Sequence, residues 1–84
     1  MLTYDVLAVL WEAPASDVEV ARAIEDRLGA PMSRNMIEQH LRLLRTTGHL
    51  RTRAQNGALA YVLTAAGSDL LSQLAGRVEQ EEYV

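Results

Sequence analysis

The chain has 84 residues, 49% of them hydrophobic, a net charge of −3 and no cysteine. That length makes one small domain with a thin core, and that apolar content excludes a disordered chain. Without cysteine there are no disulfides and no thiolate metal sites, and the two histidines are too few for structural zinc, so neither metal nor cofactor is expected.

Residues 2–12 place Leu2, Val6, Leu7, Leu10 and Trp11 at helical spacing. Pro14 ends that helix, because the residue before a proline is pushed out of the α region. The early residues carry Asp5 and no base before Arg22, which is not a signal-peptide pattern. No apolar run approaches the ~20 residues that cross a bilayer. The expectation is a cytoplasmic protein with no membrane contact.

Ser16 with Glu19 three residues on matches a capping box and starts a second helix. Val20, Ile24 and Leu28 repeat on one face, and Gly29 with Pro31 closes it. Ser33 caps a third helix. At 100° per residue, Ile37, Leu41 and Leu44 share a narrow arc, and Arg34, Asn35, Glu38, Gln39, Arg42 and Arg45 lie opposite. Gly48 ends that helix. His40 borders the core arc and His49 follows Gly48; both read as packing residues rather than ligands.

From 50 to 63 the period becomes two. Asn56-Gly57 between two alternating runs is a strong hairpin signal, since both central residues of a type I′ turn take positive φ. Centred there, the hairpin puts Arg51, Arg53 and Gln55 on one outward face. Leu50, Thr52, Ala54, Leu59, Tyr61 and Leu63 then form the face expected to be buried. Thr64 caps a last helix with Leu70, Leu71, Leu74 and Val78 as its stripe, and the tail Glu79-Gln80-Glu81-Glu82 is expected to fray.

The charge is unevenly placed. All eight bases are arginine. Five of them lie between positions 33 and 55, where Glu38 is the only acid, so this window is +4 and the remainder −7. That is a directed basic face on an acidic body. Arg34, Asn35, Glu38, Gln39, Arg42 and Arg45, behind the Ser33 cap, are residue types that read base edges. Arg51, Arg53 and Gln55 suit the sugar-phosphate backbone. The plainer alternatives are a solvated helix with i, i+4 ion pairs, worth a few tenths of a kcal/mol each, and charges that protect a sheet edge. No catalytic site is expected: Ser16, Ser33, Ser68 and Ser72 sit at cap or helix positions with no histidine base at motif spacing.

Helix, helix, helix, hairpin, helix is the order of a winged helix-turn-helix: one domain over 1–84, with the helix-turn-helix at 16–48, the wing at 50–63 and the last helix at 64–82. The run YDVLAVLWEAPASDVEVARAIEDRLG, residues 4–29, resembles the first two helices of the PadR-like transcriptional regulators. Pro31-Met32-Ser33 with Leu41, Leu44 and Gly48 resembles their recognition helix. YVLTAAG, residues 61–67, resembles the second wing strand entering the last helix through Leu-Thr-x-x-Gly, a pattern also found in MarR-like repressors. The resemblance spans roughly residues 4 to 78. The chain departs from the family at Glu38-Gln39, where a Tyr-Pro pair is common, and at the two-residue Asn56-Gly57 tip, where the family has a longer glycine-rich one.

The resemblance implies a homodimeric repressor with the third helix in the major groove of double-stranded DNA and the wing on its backbone. It indicates no small-molecule effector, since the aromatics that bind flat drugs in some members are missing from the last helix before Tyr83. Excess apolar residues on the terminal helices assign the dimer contact to Leu2, Leu7, Leu10, Trp11, Leu71, Leu74 and Val78. The rival readings are a winged-helix module that binds only proteins, and a phage-type excision or architectural factor.

Overall fold

The computed structural model describes residues 2–82, with side chains described from 2 to 77. Four helices and one antiparallel hairpin follow in the expected order: α1 (Leu2–Glu12), α2 (Asp17–Leu28), α3 (Arg34–Thr46), β1 (Leu50–Gln55), β2 (Ala58–Leu63) and α4 (Ala65–Glu82). The tail expected to fray continues the backbone of α4, and Val78 lies outside the described side chains. Among the described residues no helix is long and apolar enough to cross a membrane.

The caps form as the side chains require. Ser16 Oγ accepts from the Glu19 N–H at 3.3 Å, and Glu19 Oε1 accepts from the Ser16 N–H at 3.1 Å. That backbone N–H, followed by the Ser16 side chain, holds the Glu19 carboxyl below the usual carboxylate range. Gly29 closes α2 with φ +67°. Ser33 Oγ accepts from the Met36 N–H at 3.4 Å at the start of α3.

One core is shared by all four helices and the root of the hairpin. Val6, Leu7, Val20, Ile24, Ile37 and Leu41 are completely covered, and Leu10, Leu44, Leu50 and Leu74 nearly so. Burying such a side chain stabilises by about 1.5–3 kcal/mol. This corrects the dimer assignment: Leu7, Leu10 and Leu74 are held inside the protomer and cannot face a second copy. Leu2 and Leu71 are half-buried against the core, and Trp11 remains 65% exposed.

The hairpin register is Leu50 opposite Leu63, Arg51 opposite Val62, Arg53 opposite Ala60 and Gln55 opposite Ala58, as the turn position requires. Asn56 (φ +52°) and Gly57 (φ +79°) both adopt the left-handed conformation that a type I′ turn needs. Burial departs from simple alternation. Leu50 is buried, and Thr52, Tyr61 and Leu63 are half-buried, but Ala54 is exposed and Leu59 is 62% exposed. The tip projects beyond the helices, so the core reaches only the root.

Ala60 is buried although it shares the outward face with Arg53. The cause is a third, one-residue strand: Ala15 pairs with Tyr61 through N–H···O bonds of 3.3 and 2.8 Å. The α1–α2 connection therefore flanks β2, and Ala60 lies in a hollow lined also by Ser16, Glu19 and Gln55. A single bridge leaves no periodic trace in a sequence.

Gly67 is the tightest point of the packing. A Cβ there would collide with the carbonyl oxygen of His49 and stand 2.8 Å from Leu63 Cδ1, whereas one at Gly76 on the same helix would meet nothing within 4 Å. Gly67→Ala should therefore cost about 2–3 kcal/mol in urea unfolding, from overpacking against backbone. Gly76→Ala should stabilise by about 0.5–1 kcal/mol, since it removes helix-interior glycine entropy without a clash. Equal effects of the two changes would mean that α4 does not approach His49 this closely.

Candidate nucleic-acid interface

The interface begins with the amphipathicity of α3. Ile37, Leu41 and Leu44 are buried and fix which face turns outward. Outside that arc Arg34, Asn35, Gln39, Arg42 and Arg45 are exposed, and Glu38 is half-buried; Arg34 and Arg45 border the core arc. Among the described residues no ion pair joins Glu38 to Arg34 or Arg42; Arg27–Asp5, at 3.9 Å, pairs elsewhere, between α2 and α1. The three α3 guanidinium groups are thus not committed to intrahelical pairs. Ser33 is exposed, and its hydroxyl caps the helix.

The wing supplies the second part. Arg51, Arg53 and Gln55 are exposed on one face of β1. Arg53 Nη2 donates to Gln55 Oε1 at 3.1 Å, so the amide steadies the guanidinium of its i−2 neighbour. The residues opposite are Val62, Ala60 and Ala58.

A network of short bonds joins the two parts. Thr47 Oγ1 donates to Leu44 O at 3.1 Å and lies 2.7 Å from His49 Nδ1. Thr47 Oγ1 thus bridges the end of α3 and the His49 ring. His49 and His40 are both half-buried. Thr64 Oγ1 donates to Gly48 O at 2.6 Å and accepts the Gly67 N–H at 3.1 Å, while the Thr64 N–H donates to His49 O at 3.2 Å. The end of α3, the root of the wing and the start of α4 are thereby tied at one corner.

Two exposed residues of α3 belong to neither arc expected from the sequence. Met36 is 49% and Leu43 is 58% exposed. The helical wheel places both beside Gln39, and their apolar character is the reason they escape a search for polar contacts. Away from α3, an open cleft of about 390 Å³ is lined by Trp11, Pro14, Val62 and Leu63, with Glu12, Thr64 and Ser68 as polar members. No group of three or more His, Cys, Asp or Glu side chains is placed to hold a metal among the described residues.

No family model matches this sequence, and no curated protein matches it. Several solved structures match its fold. A transcriptional regulator from Clostridium thermocellum superposes with a TM-score of 0.87 at 14% identity, over 98% of this chain and 84% of that one. RosR of H. salinarum gives 0.82 at 18% identity, over 95% and 74%. Bacillus subtilis PadR, solved in complex with operator DNA, gives 0.73 at 23% identity, over 88% of this chain but only 46% of that one. Superposition at these TM-scores shows a shared fold, so the chain has the winged helix-turn-helix fold found in these transcriptional regulators.

Proposed function

We propose that this chain is a PadR-like, sequence-specific DNA-binding transcriptional regulator that acts in the cytoplasm as a homodimeric repressor and has no enzymatic activity. The observation that carries the reading is charge placement. Five of the eight arginines, Arg34, Arg42, Arg45, Arg51 and Arg53, are exposed on α3 and β1, which pack against each other, while the remainder of the chain is net −7. A phosphate backbone is attracted to that surface and repelled by the rest. The solved complex of PadR with operator DNA supports the same use of this fold.

In this reading α3 enters the major groove, where Arg and Gln side chains recognise guanine and adenine edges, and the wing lies on phosphates. Base edges carry sequence information and phosphates do not, so the two parts have separable signatures. Gel shifts on random duplex at low salt should show binding at roughly 10⁻⁴ to 10⁻⁶ M. Arg42→Ala or Gln39→Ala should cost about 1–3 kcal/mol on a selected operator and much less on random DNA. Arg53→Ala should weaken both equally and lower the salt slope by about one unit for each phosphate left without its arginine. No retention of duplex at tens of micromolar would favour the protein-interaction module instead, and altered sequence preference in Arg53→Ala alone would place the wing in the groove.

The dimer interface is assigned to the apolar groups on the terminal helices that the protomer does not fully cover: Trp11, exposed, and Leu2 and Leu71, half-buried. In a symmetric pair such patches meet isologously. Sedimentation equilibrium at micromolar concentration should give twice the 9.3 kDa chain mass, and Trp11→Asp should return it to 9.3 kDa while keeping the helical circular dichroism. A wild-type species of 9.3 kDa would overturn the dimer.

A further inference from the structure

Met36, Gln39 and Leu43 follow one another at i, i+3 and i+7 on α3, so they form a single row within about 60° of the helix wheel. Neighbours in such a row have Cβ atoms about 5–6 Å apart. An amide is thus bracketed by two apolar side chains, each about half exposed. The core does not need them: Ile37, Leu41 and Leu44 already close it from a different arc. The row borders the arc of Asn35 and Arg42, so it lies on the flank of the surface proposed to enter the groove.

The major-groove edge of an A·T pair offers two features side by side. Adenine presents an acceptor and a donor that a Gln amide matches, and thymine presents a methyl group that favours an apolar neighbour. Guanine and cytosine present no methyl. The rise from Met36 to Leu43 is about 10 Å, close to three base-pair steps. From this juxtaposition we infer that the Met36–Gln39–Leu43 row reads a short A·T block, with Gln39 on an adenine edge and Met36 and Leu43 on the C5-methyl groups of flanking thymines. The arginine row is left for guanines and phosphates.

The inference rests on the DNA-binding reading above, and the test separates the two. A duplex is selected by the wild-type protein from a random library made with thymine, then resynthesised with deoxyuridine in place of thymidine in the selected core. Each missing methyl removes about one buried carbon, worth roughly four-fold in affinity, so two per half-site give about 15-fold. The wild-type dimer, engaging two half-sites and so four methyls, should bind the deoxyuridine duplex about 200-fold more weakly. The doubly substituted Met36→Ser, Leu43→Ser protein should bind both duplexes equally. Its affinity for random duplex at low salt should be unchanged, because neither residue is charged. Equal binding of the two duplexes by the wild type, or a selected core with no A·T block, overturns the methyl reading while leaving DNA binding intact. Failure to retain any duplex overturns the functional proposal, and this inference with it.

Discussion

The carbonyl of His49 is the point on which the arrangement turns. It accepts the Thr64 N–H and stands where a Cβ on residue 67 would have to be. Only glycine lets the first turn of α4 come this close, and the Thr64 hydroxyl completes the corner by bonding Gly48 and the Gly67 N–H together. The geometry also explains the Leu-Thr-x-x-Gly pattern at residues 63–67: the leucine fills the root of the wing, the threonine caps and ties, and the glycine admits the backbone. Since α3 ends at Thr46 and β1 begins at Leu50, one corner sets the angle between helix and wing. The two surfaces proposed to meet one duplex are thereby tied to each other, which would lower the ordering cost of binding.

The same economy appears in α2. In many helix-turn-helix arrangements the free N–H groups at a helix start are natural anion sites. Here Ser16 and Glu19 satisfy each other across the start of α2, and the Glu19 carboxyl is held in its charged form. Asp17 adds a second negative group. That helix end would repel phosphate, so in the proposed complex anchoring falls on the arginines of α3 and β1. An acidic body therefore does not argue against DNA binding; it narrows the orientations in which a duplex is tolerated.

Most of the fold was legible because local signals agreed with the global one. The Ser16–Glu19 box, the Ser33 cap, the Ile37/Leu41/Leu44 arc and the Asn56-Gly57 turn each depend on contacts within a few residues, and each formed in the expected register. The misreadings were non-local. Period two on the hairpin says which residues share a face, not how far the core extends beneath it, so Ala54 and Leu59 were expected to be buried and are not. Ala60 is covered by a one-residue strand that no periodicity announces. Leu7, Leu10 and Leu74 look surplus only when α1 and α4 are counted separately; with α1 packed on α4 and on α2, they are core. Of the candidate interface, the polar positions of α3 were readable from the wheel, while Met36 and Leu43 were hidden by a rule that assigns apolar residues to the interior.

That rule fails for a helix with three kinds of neighbour. α3 meets the core along Ile37, Leu41 and Leu44, and in the proposed complex it would meet phosphates and guanines along its arginines. Between these lies a third sector, where a side chain is out of the core yet still faces a surface. Solvent alone would favour polar residues there, since burying a half-exposed leucine contributes little to so small a fold. Met36 and Leu43 depart from that expectation at two points of one row, on either side of an amide. A groove that presents thymine methyl groups next to adenine edges satisfies all three residues at once. A groove lined by G·C pairs would leave Met36 and Leu43 without a methyl partner, and their apolar carbons would displace water from polar base edges without replacing its hydrogen bonds. Exclusion of the wrong base pairs then comes from the same side chains that favour the right ones.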